Sequence, residues 1–593
     1  MEQDFLKKNA LIDKHIKDCS IGEFSFMIMR CISFVLFFIV VFLLWEKGNQ
    51  LYIGMLLTIG GFLVAGYYQD KQGKKCLFYK RYKRMIEEDL KDKFRESSEK
   101  YIPNDDVYGH PFVNDLDVFG KKSLFALIDR TCTHLGKQKL VSWLMKPLLE
   151  CEIIAERQVA VKEICKMNDF KDVFRLRGIT LSDDVNNSVI NFESWMRETA
   201  STKEVNAIKL YVFAVCFVNM TICSFVLLNI LSPYAVVNSV IFFAILSMKV
   251  ERKVDIIHER ISKGILAMGV YADILEYISE KEFASTLLKT WQNQVGGSGE
   301  RAVKSLKELS QMGAMLDQRK NLLLHFLFEG VLAWQFIQIL RIEVWRKKHS
   351  DNFMKWLEVI ANFDALVSLC LFADKNDTYC YPSLSNKEGT LKGTDVGNPL
   401  MMNAKCVTNN VFFVQNGFFM IVTGSNMAGK STYLKTIGIN YILACIGVPV
   451  FASSFIICPS QLMASLKTTD SLSRNESYFF AELKKLNAII KKLKNGERLF
   501  ILLDEILKGT NSEDKLKGSD AFIRKLIHFK SNGILATHDV KLGNLQKEFP
   551  IQIRNYHFSS KIENHTLQFD YKLKEGIVQE FNATFLMEQM DIF

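Results

Sequence analysis

The segment that most constrains the fold is FFMIVTGSNMAGKSTYLKTIG, residues 418–438. An apolar run comes first, a loop matching G-x-x-x-x-G-K-[ST] follows, and a helical pattern comes after it. Glycines let backbone N–H groups turn onto a phosphate at the positive end of a helix. We therefore predict a strand–loop–helix unit that binds a nucleotide. The predicted nucleotide-binding residues are Gly424, Ser425, Asn426, Met427, Ala428, Gly429, Lys430, Ser431 and Thr432.

Two further strand-like runs end in polar residues that suit phosphate chemistry. In RLFILLDEILKGT the apolar run ends at Asp504 and Glu505, and in NGILATHD it ends before His538. We predict that Lys430 reaches the β- and γ-phosphates of ATP, that Ser431 and Asp504 hold Mg²⁺, and that Glu505 polarises the attacking water. His538 is predicted to sense the γ-phosphate. The alternatives are a capping acidic pair and a packed or surface histidine.

Long uncharged runs predict membrane-spanning helices, because a bilayer core needs about 20 apolar residues per helix. The first two predicted spans are residues 27–45 and 51–68, and an uncharged block at 210–248 is long enough for two more, with a turn signal, NILSPY, near its middle. We therefore expect four spans arranged as two hairpins in the lipid bilayer. Buried helices of a water-soluble domain are the alternative, and they are more plausible for the second block.

Basic residues flank both predicted hairpins on the same side, which by the positive-inside rule is the cytoplasmic side. We expect an integral protein of the inner (cytoplasmic) membrane with its ATPase domain in the cytosol, and no cleaved signal peptide. The flanking residues are Lys7, Lys8, Lys14, Lys17, Arg30, Lys71, Lys74, Lys75, Lys80, Arg81, Lys83, Arg84, Lys209, Lys249, Arg252 and Lys253.

Composition agrees with a large helix-rich chain. The 593 residues carry a net charge of +10, a mild basic bias that fits nucleic acid or anionic lipid, and the thirteen cysteines contain no C-x-x-C pair that would indicate zinc. The predicted fold class is an α/β P-loop (ABC-type) ATPase domain at the C-terminus, an all-α helical core and lever domain, and transmembrane helical hairpins. The predicted domains are 1–75, 76–380, interrupted at about 210–248, and 381–593.

The amino-acid sequences of these motifs resemble those of the MutS family of DNA mismatch repair ATPases. TGSNMAGKST is similar to the family's TGPNMAGKST, and DEILKGT to its DEIGRGT. Residues 114–164 resemble the start of the family's helical core and residues 361–373 its return to the ATPase domain. GNPLM at 397–401 resembles the GHP segment, with Asn398 in place of histidine, and the stretch 571–590 resembles the C-terminal strand and dimerising helix.

The resemblance implies a homodimer through the ATPase domain, in which a signature serine from one subunit completes the other subunit's site. The matching stretch, TTDSLSRNESYFFAEL, puts Ser477 in that role, with Asn475 where the family has glycine. An ordinary helix N-cap is the alternative for Ser477. The resemblance also implies ATP and Mg²⁺ as ligands, and double-stranded, mismatched or structured DNA as a partner.

Differences from the family limit what can be transferred. The first hairpin stands where mismatch-repair members have mismatch-recognition and connector domains, so we expect a membrane-anchored variant without them. Basic residues near the predicted lever tips have acidic neighbours at helical spacing, which favours a solvated face over a phosphate track. The alternative functions are an ABC-like membrane ATPase acting on a non-DNA partner or a transport substrate, and a scaffold without enzymatic activity.

Overall fold

The computed structural model describes residues 2–44, 49–91, 109–179, 189, 192–197, 202–295, 300–317, 328–401, 406–425, 428–466, 478–563 and 566–578. Two compact units account for the chain. The first comprises Met1–Lys93 with Arg175–Thr180, and the second comprises Phe94–Phe174 with Leu181–Phe593.

The first unit is built from two long antiparallel helices, α1 (Glu2–Leu44) and α2 (Asn49–Lys91). The pairing is visible along their length: Asp13 meets Lys83 at 2.6 Å, and the rings of Phe26 and Tyr68 stack at 5.4 Å. Both predicted spans lie on these helices, apart from residue 45, which is outside the described residues. Helix α2 continues without a break to Lys91, so no secondary-structure boundary lies at residue 75.

In the part of the chain that the structure describes, four helices are long and apolar enough to cross a membrane by length and composition: Ala10–Leu43, Asn49–Glu87, Val205–Leu227 and Trp334–Lys375. In the first three helices almost none of the most apolar 18-residue stretch is buried inside the protein. In Trp334–Lys375, 89% of that stretch is buried. The last helix is therefore largely a core helix. The segment Tyr234–Ser247 is a shorter apolar helix.

Nine helices have assigned bounds among the described residues from 124 to 375, and all of them lie in the second unit except for residues 175–178, which belong to the first. They are α3 (Leu124–Ile128), α4 (His134–Met145), α5 (Cys151–Lys166), α6 (Asn168–Gly178), α7 (Thr202–Leu227), α8 (Tyr234–Ser279), α9 (Thr286–Gln294), α10 (Glu300–Asp317) and α11 (Trp334–Lys375). The sequence pattern suggests one helical stretch over 300–347 and another helix over 353–375, but residues 334–375 form the single helix α11. Its buried side chains, such as Phe353, continue the core across the expected gap.

Local chemistry explains several of these helix ends. The side chains of Ser123, Thr133 and Ser285 accept hydrogen bonds from backbone N–H groups of the first turns of α3, α4 and α9. Helix α4 ends at Met145, shortly before Pro147, which cannot continue a helix. These caps and stops set the short connections that let successive helices pack on one another.

Helix α11 is tied to the α3–α4 connection by a buried carboxylate. Asp364 accepts hydrogen bonds from the backbone N–H groups of Cys132, at 3.0 Å, and Thr133, at 2.8 Å. Burial raises the pKa of Asp364, and these hydrogen bonds oppose that rise. The contact joins segments more than 200 residues apart, and it fixes the end of α11 that leads to the ATPase domain.

The ATPase domain contains two sheets. The smaller has the order β1-β5-β2-β3 and the larger the order β10-β9-β4-β8-β7-β6, in which β9, β4, β8, β7 and β6 are parallel and β10 is antiparallel to β9. The strands are β1 (Ser383–Leu384), β2 (Thr390–Val396), β3 (Asn409–Val414), β4 (Phe419–Thr423), β5 (Ser454–Ile457), β6 (Gln461–Ser465), β7 (Leu499–Asp504), β8 (Asn532–Thr537), β9 (Ile553–Glu563) and β10 (Thr566–Glu575).

Helices accompany the larger sheet, as expected for an α/β domain. They are α12 (Lys430–Cys445), α13 (Tyr478–Lys494), α14 (Ser512–His528) and α15 (Leu545–Glu548). Strands β4, β7 and β8 are buried at every position, because helices and neighbouring strands cover both faces. This buried centre holds the ends of three adjacent strands in fixed positions.

Candidate nucleotide-binding site

The predicted site residues converge at the carboxyl ends of three neighbouring strands. Strand β4 pairs in parallel with β8, and β8 pairs in parallel with β7, so their ends lie at one edge of the sheet. The chain leaves β4 into the glycine-rich loop, leaves β7 at Asp504 and Glu505, and leaves β8 at His538. Ligands of open α/β sheets bind at such an edge.

The glycine-rich loop has the backbone geometry that its sequence predicts. Gly424 has φ of +148° and Gly429 has φ of +101°, both in the region that favours glycine. The Lys430 ammonium donates hydrogen bonds to the carbonyl oxygens of Gly424, at 2.7 Å, and Ser425, at 2.8 Å. The lysine therefore lies across the loop at the start of α12, with its side chain 2% exposed.

The two predicted magnesium ligands are in direct contact, since the Ser431 hydroxyl donates a hydrogen bond to Asp504 Oδ2. The other carboxylate oxygen, Asp504 Oδ1, is buried and has no hydrogen-bond partner in the described part of the chain, and the same holds for Ser425 Oγ. Hydroxyl and carboxylate oxygens are the ligands that Mg²⁺ prefers in phosphate-binding sites. A buried oxygen without a partner beside Ser431 fits such an ion.

Glu505 is held beside three cationic or ionisable groups. Its carboxylate lies 3.3 Å from Lys508 Nζ, 3.5 Å from His538 Nδ1 and 3.9 Å from Lys430 Nζ. The residue adopts φ of +47°, and its N–H donates to Ala536 O of β8 at 2.9 Å. This uncommon backbone conformation points to a functional requirement at the end of β7.

These charges set the ionisation of the site. Burial alone would raise the pKa of Glu505, but Lys508, His538 and Lys430 outweigh burial and leave the pKa below its ordinary value. Burial lowers the pKa of Lys430, while Glu505 and Asp504 act to raise it. Burial also raises the pKa of Asp504, against the hydrogen bond from Ser431. Glu505 is therefore ionised at neutral pH.

Two contacts extend this network. Lys515 Nζ lies 3.5 Å from His538 Nε2. If lysine donates there, His538 carries its proton on Nδ1 and directs it toward Glu505. On the other side, Glu482 of α13, which is 3% exposed, accepts a hydrogen bond from Leu507 N at 2.6 Å. Leu507 has φ of +61°, a left-handed conformation that leucine rarely adopts, and this hydrogen bond helps to hold it there.

Tyr571 is a site residue that the sequence did not reveal. A Cβ added at Gly429 would lie 3.1 Å from Tyr571 Cδ1, so the tyrosine ring borders the glycine-rich loop, and it is 43% exposed. Tyr571 sits in an irregularity of the β9–β10 pairing with φ of +52°. Asn409 holds this irregularity by donating to Tyr571 O at 2.9 Å and accepting from Leu573 N at 2.8 Å.

Four predicted site residues lie outside the described residues: Asn426 and Met427 of the glycine-rich loop, and Asn475 and Ser477 of the expected signature stretch. Their roles stay predictions. The other predicted residues fall on the loop, on the first turn of α12, or at the ends of β7 and β8.

Two family models match the chain: MutS domain III over residues 112–370 and MutS domain V over residues 420–584. The domain III match extends through residues 200–350, where the sequence showed only general helical periodicity. The domain V match contains the ends of β4, β7 and β8, and it also contains Tyr571.

Curated relatives agree with the family models. The DNA mismatch repair protein MutS of Thermotoga petrophila is 24% identical over 500 residues, which cover 77% of this chain and 60% of the relative. The MutS protein of Bacillus velezensis is 25% identical over 496 residues, covering 77% and 56%. The human MutS protein homolog 4 is 29% identical over 243 residues, covering 40% and 25%.

The chain thus spans about 60% of the length of the bacterial relatives that it matches over most of its own length. A match of this extent to both a helical-core domain and an ATPase domain, with the site residues in place, shows the family. The chain belongs to the MutS family.

Proposed function

We propose that this protein is a membrane-anchored ATPase of the MutS type, which binds and hydrolyses ATP with Mg²⁺ to open and close a homodimer. One observation carries the proposal: Lys430, Ser431, Asp504, Glu505 and His538 meet at one edge of a parallel sheet. That set contains a phosphate-binding cation, a pair of metal-ligating oxygens and an ionised carboxylate.

The residues divide the chemistry among themselves. Backbone N–H groups of the loop and the Lys430 ammonium neutralise the phosphates of ATP, and Ser431 with Asp504 would hold Mg²⁺, which neutralises phosphate charge when bound. Glu505 orients and polarises the attacking water and takes its proton. His538 and Lys508 hold Glu505 in place. The Tyr571 ring, at the border of the loop, offers a face on which the adenine base stacks.

The remaining parts of the proposal rest on the family and on composition. Ser477 of one subunit completes the partner's site, with Asn475 shaping its loop. The ATPase domain lies in the cytosol, and four helices in two hairpins anchor the protein in the inner membrane; the exposed apolar side chains of α1, α2 and α7 support this. DNA, double-stranded or structured, is the partner, in keeping with the relatives named DNA mismatch repair proteins.

The test is ATP turnover by the full chain, solubilised in detergent, with no DNA and with duplex, branched and mismatched DNA. We expect Mg²⁺-dependent turnover that changes when DNA of one of these structures is added. Turnover without any DNA effect would favour the ABC-like reading with a non-DNA partner. The absence of Mg²⁺-dependent turnover under every condition would contradict the proposal.

A further inference from the structure

Residues 328–339 pack against the second apolar hairpin, formed by α7 and the start of α8. Residues 328–332 make a helical turn, Ala333 breaks the helix with φ of +52°, and α11 begins at Trp334. Ala333 and Phe336 form one buried cluster with Val215 of α7 and Phe243 of α8. The hairpin therefore has a third element, which the sequence did not suggest.

Polar groups join the three elements from the inside. Asn219 of α7 donates to Gly330 O, at 2.8 Å, and Val331 O, at 3.1 Å, and accepts from Ser239 Oγ of α8 at 2.6 Å. Gly330 lies so close to α8 that an added Cβ would be 2.3 Å from Val240 O. One amide side chain thus connects all three segments.

The outer surface of the same bundle is apolar. A water-soluble bundle would place such side chains inside and Asn219 outside. Helices packed in lipid have the opposite arrangement: their apolar side chains face outward, and small or hydrogen-bonded polar residues lie between the helices. The exposed apolar side chains are Leu210, Phe213, Phe217, Met220, Ile241, Phe242, Phe328, Val331 and Leu332.

The depth of the bundle is consistent in each element. Ile208, Leu246 and Ile339 pack against the buried cluster of the bundle, and on each helix a basic residue follows one to three positions later in the sequence. Asn219 and Ser239 each lie ten positions from these basic residues, or about 15 Å along a helix. That is half of a hydrocarbon core of about 30 Å. The basic residues are Lys209, Lys249 and Arg341.

We propose that segment 328–339 is a membrane element that enters the bilayer halfway, and that its partner is lipid acyl chains. The inference rests on the proposed function, because it requires the second hairpin to lie in the membrane. Glu329, which is 1% exposed, caps α11 from within the bundle: its Oε1 accepts a hydrogen bond from Gln335 N at 2.5 Å.

The consequence is that α11 joins the bilayer to the ATPase domain. Its 42 residues span about 63 Å. At its far end Phe372 contacts Tyr379, whose ring stacks on Phe451 at 4.8 Å. Phe451 N donates to Asn440 Oδ1 of α12, the helix that begins at Lys430. One continuous helix and three contacts therefore separate the nucleotide site from the membrane bundle.

The test places a fluorescent amino acid at one of three exposed positions of the full chain in liposomes: Val331 in the segment, Phe217 in the hairpin, and Val344 on α11 beyond Arg341. Each sample is quenched separately with phospholipid brominated at the bilayer centre and with aqueous iodide. We expect bromine to remove most of the fluorescence at 331 and 217, with iodide having no effect there. The probe at 344 should show the opposite pattern.

The outcomes separate this inference from the proposed function. If iodide quenches the probe at 331 while the probe at 217 responds only to bromine, segment 328–339 lies outside the bilayer and the inference is wrong, although the second hairpin stands. If iodide quenches at both positions, the second hairpin itself is not in the membrane, and that part of the proposed function fails too.

Discussion

Polar side chains occupy opposite places in the ATPase domain and in the bundle of α7, α8 and segment 328–339. The ATPase sheet buries aliphatic strands, and its charged groups, such as Glu505, gather where strands end. The bundle instead encloses Asn219 and Ser239 and exposes Phe217 and Met220. Both regions belong to the same compact unit of the chain.

The ATPase domain and the bundle are each arranged for a different solvent. In water, burying apolar side chains drives folding, and ionised groups are tolerated where they pair or bind a ligand. In lipid, apolar side chains gain nothing from burial, and polar groups find partners between helices. The comparison predicts that polar residues act chemically in the ATPase domain and structurally in the bundle.

The largest expected effect is on chemistry. Glu505→Gln keeps the shape of the site but removes the base, so ATP turnover should fall about 100-fold or more while ATP still binds. Steady-state turnover and nucleotide binding by the full chain measure both parts. Glu513→Gln on α14, where the exposed carboxylate pairs with Lys517, is the matched control. Unchanged turnover in Glu505→Gln would refute its catalytic role.

The next effect is on the bundle. Gly330→Ala inserts a methyl group against Val240 O and should cost about 1–3 kcal/mol of stability. Thermal unfolding of the full chain in detergent checks this. Gly60→Ala on α2, where an added Cβ meets no atom within 4 Å, is the control. Equal unfolding temperatures for the two variants would show that the close packing at Gly330 does not stabilise the bundle.

A smaller effect concerns nucleotide affinity. Tyr571→Ala should weaken ATP binding by about tenfold, because stacking a base on an aromatic ring contributes about 1–3 kcal/mol. Tyr571→Phe retains the ring and should bind ATP as the unaltered chain does. Equilibrium binding of ATP is the measurement. If both substitutions weaken binding equally, the hydroxyl or the local backbone, rather than stacking, sets the affinity.

The smallest effect is on the pH dependence of stability. Burial raises the pKa of Glu482 above its ordinary value of 4.5, although hydrogen bonds from Leu507 and Lys508 act against the rise. In the window above 4.5 the folded state retains a proton that the unfolded state releases, so stability falls as pH rises through that window. Glu482→Gln should flatten this slope in denaturant titrations at several pH values. If Glu482→Gln leaves the slope of stability against pH unchanged, other titratable groups cause that pH dependence.

Sequence reasoning succeeded where a motif and a strand end coincide. Asp504, Glu505 and His538 stand where apolar runs end, Lys430 and Ser431 close the glycine-rich loop that follows another apolar run, and parallel strands bring such ends to one edge. The convergence of these side chains at one edge of the sheet could therefore be predicted from the sequence, and their binding of a nucleotide stays a prediction. The signature stretch around Ser477 is outside the described residues, so that prediction is unchanged.

Sequence reasoning failed where position depends on distant contacts. Tyr571 reaches the loop only because Asn409, far away in sequence, holds an irregularity in β10. Glu329, Gln335 and Gln338 interrupt the apolar pattern of segment 328–339, so the sequence does not predict a membrane element there, and the hydrogen bond from Gln335 N to Glu329 is seen only in the folded structure. Helix α11 continues past residue 347 because Trp345 and Phe353, on either side of a polar stretch, are buried and in ring contact.

Helix α11 connects the nucleotide site to the membrane bundle, so nucleotide binding should change the surroundings of Val331. The most direct measurement is the emission of the fluorescent amino acid at Val331 in liposomes, before and after addition of ATP with Mg²⁺. We expect a spectral shift in the otherwise unaltered chain, a shift that persists in Glu505→Gln, and none in Lys430→Ala. No shift in any of the three proteins, with ATP bound to the first two, would contradict the claim.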